Sequence, residues 1–205
     1  MSKVGTPVWH RWGKWLLLLL LAAVLLVWTW PRVGPAWYYR FKYYTPYRND
    51  SDKIVAAQRT VQVNPFFADD FAVLYNLSKP SSICRLGLYD LTSRRCLVRT
   101  RALHGRGSGS QMAYYFSNKP GSGKTALGRY VIVDIYYGRF GRAYRLAGLD
   151  ATNDNALARS VVLHSSAHVR SGHTGRSEGC PTVSDSALQA MRPYLRIGTL
   201  VWLYR

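Results

Sequence analysis

The pattern of apolar and polar positions divides the chain into stretches of different period. Residues 15–30 carry no charge at all: Trp15, unbroken leucine from Leu16 to Leu21, then Ala22, Ala23, Val24, Leu25, Leu26, Val27, Trp28, Thr29 and Trp30. A helix apolar on every face belongs in lipid rather than on a protein surface. At helical rise this run covers roughly 24 Å, a little short of the ~30 Å hydrocarbon layer. Trp9, Trp12, Trp37, Tyr38 and Tyr39 stand on either side as interfacial anchors. Lys3, Arg11 and Lys14 make the 1–14 tail basic, as in an export signal. Gly34-Pro35-Ala36 offers a small-x-small site for cleavage after Ala36, although Trp28, Trp30 and Pro31 favour a retained signal-anchor. Basic residues flank the run almost evenly, so charge does not set its orientation.

Residues 31–70 are aromatic, basic and interrupted by proline, and read either as a stalk lying on lipid headgroups or as a tether packed on the following domain, with a short helix over 52–58. From residue 71 the period changes to that of strands. Apolar, β-branched or aromatic runs occur at 71–77, 83–90, 96–103, 129–137, 144–149, 160–163 and 199–204, separated by Gly, Ser, Pro and Arg turns. The second and third form a hairpin. Only 185–195 looks helical, with Ser184 as its N-cap. The expectation is a mainly β sandwich or barrel at 71–205 with one or two short helices, preceded by a transmembrane helix.

Composition narrows the chemistry. The 205 residues hold 28 Lys+Arg and 10 Asp+Glu, a formal net charge of +18. Only three of the basic residues precede residue 31, so the excess belongs to the stalk and the domain. Such a surface suits an anionic membrane or a carboxylate-bearing polymer at least as well as nucleic acid. Glu178 is the only glutamate. Two-carboxylate glycoside hydrolysis and carboxylate-rich metal sites are poorly served by so few acids. The three cysteines, Cys84, Cys96 and Cys180, are an odd number, and Cys84 and Cys96 do not face each other in the expected hairpin, so a disulfide there requires a register slip.

Pro120-Gly-Ser-Gly-Lys-Thr125 superficially resembles a phosphate-binding loop, but Asn118 stands where the first glycine is needed and Pro120 removes an amide donor. His104-Gly-Arg-Gly-Ser-Gly109 is a second glycine-rich loop. The informative stretch is 160–185. A strand ends at His164-Ser165, a loop containing His168 and His173 follows, and Gly175-Arg-Ser-Glu-Gly-Cys-Pro181 leads into the helix. A cysteine nucleophile needs a base on a rigid element and a glycine-bearing loop that turns amides toward one point. His164, Gly179 and Cys180 meet those needs. A buried inert thiol remains the plain alternative, and zinc on His164, His168, His173 and Cys180 is a further one, although the spacing matches no common ligand pattern.

These motifs resemble the YkuD-like L,D-transpeptidase family, in particular the murein L,D-transpeptidase catalytic domain branch. The likeness runs over residues 71–205 and rests on His164-Ser165, Gly175-Arg176-Ser177-Glu178-Gly179-Cys180-Pro181, His104-Gly-Arg-Gly-Ser-Gly109, Phe116-Ser117-Asn118, Leu127-Gly128-x-Tyr130, Tyr137-Gly138 and Leu146-x-Gly148-Leu149. The resemblance implies cysteine acyl transfer on peptidoglycan stem peptides, without a cofactor, metal or nucleic-acid partner. Cys180 would be the nucleophile, His164 the base and Ser165 the group orienting it. The Gly179 and Cys180 amides would form the oxyanion site, and Arg176, Ser177, His104 and Asn118 would face the substrate. It also implies a periplasmic domain on a single-pass inner-membrane anchor, or a secreted one after cleavage. Two other readings stand beside it: a carboxypeptidase or amidase on the same scaffold, and a non-catalytic basic module that binds the wall. Glu178, two residues from the thiol, would raise its pKa unless a cation neutralises it. Thr182 stands where many transpeptidases carry Arg or Asn.

Overall fold

A computed structural model describes Leu21, residues 48–170 and residues 175–205. Apart from Leu21, the expected transmembrane run at 15–30 lies outside the described residues, as do its cleavage site and His173. Among the described residues no helix is long and apolar enough to cross a membrane.

Pro46–Arg205 forms one compact unit. Helix α1 covers Arg48–Gln62 and ends three residues before Pro65, which cannot continue a helix. It is longer than the helix expected at 52–58. Ile54, Ala57 and Val61 fall on one face at i, i+3 and i+7 and are buried against Ala72, Leu74, Tyr89, Leu91, Leu200 and Tyr204. Residues 48–70 therefore belong to the domain, and the expected stalk through residue 70 is corrected. Asp50, buried in the first turn of α1, accepts hydrogen bonds from the Tyr204 hydroxyl at 2.7 Å and Lys79 Nζ at 3.3 Å, with Asn76 and Tyr89 at 3.4 Å. One carboxylate thus ties the helix to several strands.

Eight strands follow: β1 (Ala68–Asn76), β2 (Leu86–Asp90), β3 (Arg95–Thr100), β4 (Gly128–Gly138), β5 (Gly141–Gly148), β6 (Val162–Ser165), β7 (Thr182–Val183) and β8 (Thr199–Tyr204). Their order in the sheet is β3-β2-β1-β8-β4-β5-β6-β7. All pairs are antiparallel except β1–β8 and β6–β7. The sheet curls until its ends almost meet. The chain just past β3 touches β7 through the Leu103↔Thr182 bridge, with Leu103 N–H donating to Thr182 O at 2.8 Å. The result is mainly β, a nearly closed barrel with two short helices. Helix α2 (Asp185–Met191) is capped by Ser184, whose Oγ accepts from Ala187 N–H at 3.2 Å, and a 3-10 turn at Arg192–Tyr194 takes over the rest of the expected 185–195 helix.

Side-chain alternation explains the two cores. Val73, Tyr75, Leu77, Val201 and Leu203 point inward with Tyr130, Ile132, Tyr144 and Leu146 and pack against α2, while Ala72, Leu74 and Leu200 face α1. The β2–β3 hairpin forms as expected, but a bulge between Leu88 and Tyr89 sets Cys96 opposite Tyr89, and Cys84 lies before β2 begins. All three cysteines are free thiols.

Beneath the curl lies a buried cation. Arg85 donates to Ala102 O, to Lys79 O at 3.0 Å and, through Nη2, to His104 Nδ1 at 2.6 Å. A guanidinium can only donate, so Nδ1 carries the lone pair and Nε2–H donates to Gly109 O at 3.2 Å. Burial, with Arg85 alongside, pushes the His104 pKa down to about 4 from 6.5. Because the folded state resists a proton the unfolded chain accepts, stability is unaffected above pH 6.5 and falls as pH drops toward 4, by about 3 kcal/mol at full effect. Melting curves from pH 7.5 to 4 should show this loss, and His104→Gln should reduce it, leaving the smaller share that comes from the other buried histidine, His164. A slope equal to that of the wild type in the variant would contradict the assignment.

Candidate active site

The site is built where the curled sheet closes. β6 ends with His164-Ser165, and β7 begins at Thr182 in parallel register, His164 opposite Thr182 and Ser165 opposite Val183. Cys180 is two residues ahead of β7, so the pairing that holds the base also carries in the nucleophile loop. His164, Cys180, Thr182, Ser160 and Val162 line one open cleft of about 730 Å³.

The imidazole is held from three sides. Ser165 O accepts from Nδ1 at 2.9 Å, and Thr182 Oγ1 lies 3.0 Å from Nε2. The Phe140 ring, at the tip of the β4–β5 hairpin, stacks on the imidazole with centroids 4.3 Å apart. Ser165, expected to orient the base, reaches it through its main-chain carbonyl. Burial lowers the His164 pKa, aided by Arg139 and opposed by the Ser165 carbonyl. Burial raises that of the Cys180 thiol, with the Val162 amide and Arg159 acting against it and Glu178 adding to it. Both groups therefore rest neutral near pH 7.

The nucleophile loop is braced internally. Ser177 Oγ donates to Cys180 O at 2.7 Å and accepts from Gly179 N–H at 3.1 Å. This corrects two expectations. The Gly179 amide is committed to Ser177 rather than open to an oxyanion, and the Ser177 hydroxyl is spent inside the loop. Gly179 still matters through its backbone. It has φ +129°, and a Cβ there would lie 2.8 Å from Lys124 O and 3.1 Å from Arg159 Nη2. Glu178 does meet a cation, but it is Arg106, whose Nε donates to both carboxylate oxygens at 2.7 and 2.8 Å on the surface.

Arg176 is exposed on the cleft and makes no ion pair with the described residues, so its guanidinium faces solvent where a carboxylate can bind. The other two expected substrate residues lie elsewhere. His104 has 0% exposure and is spent on Arg85 and Gly109. Asn118 is turned toward the 151–155 loop, where its amide donates to Ala151 O and Asp154 and its oxygen accepts from Asn155 N–H. The glycine-rich loops serve as support. Gly105 N–H donates to Thr125 Oγ1 at 2.9 Å, and that hydroxyl donates to Gly179 O at 3.3 Å, so residues 120–125 buttress the nucleophile.

Sequence reasoning missed Phe140 and Arg159 as site residues, and marked Thr182 only as a departure from the Arg or Asn of many transpeptidases. Arg159 Nη1 donates to Ser117 O at 2.7 Å and Nη2 to Lys124 O, tying two loops beneath Gly179. Nothing in the sequence marks Phe140 or Arg159. The position of Thr182 two residues after the cysteine was the one signal available. As for zinc, both ring nitrogens of His164 are engaged by protein groups, and no cluster of three candidate ligands occurs among the described residues.

The thiol of Cys180 and the imidazole of His164 thus sit at the seam where a single curled sheet closes, one in the loop ahead of β7 and the other on β6. The L,D-transpeptidase catalytic domain model matches residues 51–204, and the chain belongs to that family. Comparison with curated proteins returns no match. Among solved structures the chain is similar to an L,D-transpeptidase from Mycobacterium tuberculosis H37Rv, at 13% identity and TM-score 0.46 over 66% of this chain and 58% of that one. It is also similar to an L,D-transpeptidase from Xylanimonas cellulosilytica, at 19% identity and TM-score 0.40 over 65% and 60%. A third is L,D-transpeptidase 3 from Mycobacterium tuberculosis, at 12% identity and TM-score 0.46 over 66% and 60%. The chain thus spans about three-fifths of each of these proteins.

Gly179→Ala should strain the nucleophile loop. Adding a side chain at that φ costs about 1–3 kcal/mol, or several degrees of Tm, and labelling of Cys180 should change with it. A variant with unchanged Tm and unchanged thiol reactivity would show that the close approach to Lys124 does not constrain the loop.

Proposed function

We propose that the domain is a cysteine acyltransferase of peptidoglycan stem peptides that works through a thioester on Cys180. The observation that carries this reading is the shared cleft. The thiol of Cys180 and the imidazole of His164, oriented by Ser165 O, open onto the same 730 Å³ space with Arg176 on its wall.

His164 Nε2 takes the proton of Cys180. The sulfur attacks the carbonyl joining the third stem residue to the terminal D-Ala, and the carbonyl oxygen becomes an oxyanion facing the Cys180 amide. The C–N bond breaks, and His164 returns the proton to the departing amine of D-Ala. A side-chain amine from a second stem then attacks the thioester, His164 accepts its proton, and the restored thiolate takes that proton back. The new amide is the cross-link. Water in place of the amine gives a carboxypeptidase. The basic lining supports a carboxylate-bearing substrate: Arg139, Arg159, Arg176 and His168 face the cleft, against one acid, Glu178, already paired with Arg106. Peptidoglycan lies outside the cytoplasmic membrane, so in this reading the domain is periplasmic. Residues 15–30 would be a single-pass anchor in the inner membrane, and cleavage after Ala36 would release the domain instead.

Intact-mass analysis after exposure to a carbapenem tests the thioester. One covalent adduct should form, map to Cys180, and be absent from Cys180→Ala. His164→Ala should slow its formation by about 10²–10⁴-fold. In parallel, muropeptides should gain cross-links, or lose D-Ala without cross-links if water is the acceptor. A folded sample that gives neither an adduct nor any muropeptide change would overturn the proposal in favour of a wall-binding module.

A further inference from the structure

Thr182 has a position that the reaction above does not use. Its side chain is fully buried, and its Oγ1 lies 3.0 Å from His164 Nε2 and 3.3 Å from Cys180 O. The proton on the imidazole can be placed by elimination. Ser165 O, at 2.9 Å from Nδ1, only accepts, so Nδ1 carries the hydrogen and Nε2 of the neutral ring carries the lone pair. The Thr182 hydroxyl must then be the donor in its contact with Nε2. It has only one hydrogen, and a second acceptor, Cys180 O, lies within reach of the same oxygen.

We infer that Thr182 is a positioning residue whose hydroxyl turns between His164 Nε2 and Cys180 O as the base gains and loses the thiol proton. The inference rests on the reading of Cys180 and His164 as nucleophile and base. With His164 neutral, O–H points at Nε2 and holds the ring. When the hydroxyl turns to Cys180 O, its hydrogen leaves the Nε2 lone pair, which is then free to take a proton. The S–H bond of Cys180 breaks, an N–H bond forms at Nε2, and the sulfur keeps the electron pair as thiolate. Thr182 Oγ1 now accepts from the new Nε2–H while donating to Cys180 O. When Nε2 gives its proton to the leaving amine, the hydroxyl turns back. Every hydrogen has an acceptor in both states; Thr182 itself does not have to move, while the Cys180 sulfur, resting 4.0 Å from Ser160 O, swings to Nε2 to hand over its proton. A hydroxyl can do this because it both donates and accepts, whereas Arg at this place could only donate.

The strand does not depend on the hydroxyl. Thr182 is held by main-chain pairing with His164 and Leu103, and Cys180 O retains its bond from Ser177 Oγ at 2.7 Å. Valine keeps the shape and the β-branching, so Thr182→Val removes the switch and little else. The charged and titratable groups facing the cleft stay in place: Arg139 and Tyr136 from the β4–β5 hairpin, Arg159 ahead of β6, His168 after it, and Arg176 and Glu178 in the nucleophile loop.

The test is the pH dependence of Cys180 alkylation by iodoacetamide in the full chain. Labelling is resolved by peptide mass so that Cys84 and Cys96 are scored separately, and folding is checked by melting. Thr182→Ser should follow the wild-type profile. Thr182→Val should shift the midpoint upward by about one pH unit, an approximately tenfold slower reaction at pH 7, with Thr182→Ala as a second hydroxyl-free variant should the valine form not fold. A folded hydroxyl-free variant with the wild-type profile would overturn the inference, as would a serine variant that behaves like valine. His164→Ala separates the two levels. If it shifts the profile and valine does not, only the role of Thr182 falls. If it leaves the profile unchanged, the base assignment falls and the role of Thr182 falls with it.

Discussion

The parallel pairing of His164 with Thr182 is the contact on which the rest of the site depends. β7 is only two residues long, yet it is where the curled sheet meets itself, with β6 on one side and the chain leaving β3 on the other. A strand so short contributes little hydrogen bonding of its own. What holds it is the burial of Thr182 and Val183 and the start of α2 directly behind it, capped by Ser184. The loop carrying Cys180 therefore has one end fixed at the seam. A second bridge, Gly105 to Ser177, and the hydroxyl of Thr125 under Gly179 fix the approach to it. The glycine-rich segments contribute by letting backbones come close together, not by presenting side chains to a ligand.

Burial sets the electrostatic character of this seam. It moves the thiol upward and the imidazole downward, so both changes favour the uncharged pair. Arg139 opposes a charged imidazole and Arg159 favours a thiolate, so the two cations act on different partners. The exposed Arg106–Glu178 pair adds little to stability, as surface ion pairs do. It does engage the only carboxylate near the sulfur among the described residues.

Where the pattern is periodic, the fold was legible in the sequence. Seven of the strands follow alternating or continuous apolar runs, and Ser184 marks the start of α2. β7 was invisible because two residues have no period. The first helix was underestimated because its buried face consists of Ile54, Ala57 and Val61 among polar residues, too narrow a stripe to bring residues 48–70 into the domain. At the site, sequence identified the residue types that carry chemistry but not the direction they face. His104 and Asn118 lie in motif loops, yet one serves a buried arginine and the other a neighbouring turn. Ser177 and Gly179 satisfy each other. Whereas Ser177 and Gly179 close on each other within one loop, the partners of His104 and Asn118 are set by contacts between segments far apart in the chain, which no local spacing encodes. The same holds for Phe140, which meets His164 only because a hairpin folds over the cleft.

The cluster around Asp50 has a mechanical consequence. The chain ahead of the domain enters it through the first turn of α1, and there a single carboxylate binds the hydroxyls of Tyr89 and Tyr204, the amide of Asn76 and the ammonium of Lys79. Any pull along residues 1–47 is therefore shared at once among β1, β2 and β8, on the face of the sheet away from α2. Tension would have to break that buried ionic knot before it could distort the strands that carry His164 and Cys180. The load path and the reactive seam occupy different parts of the same barrel.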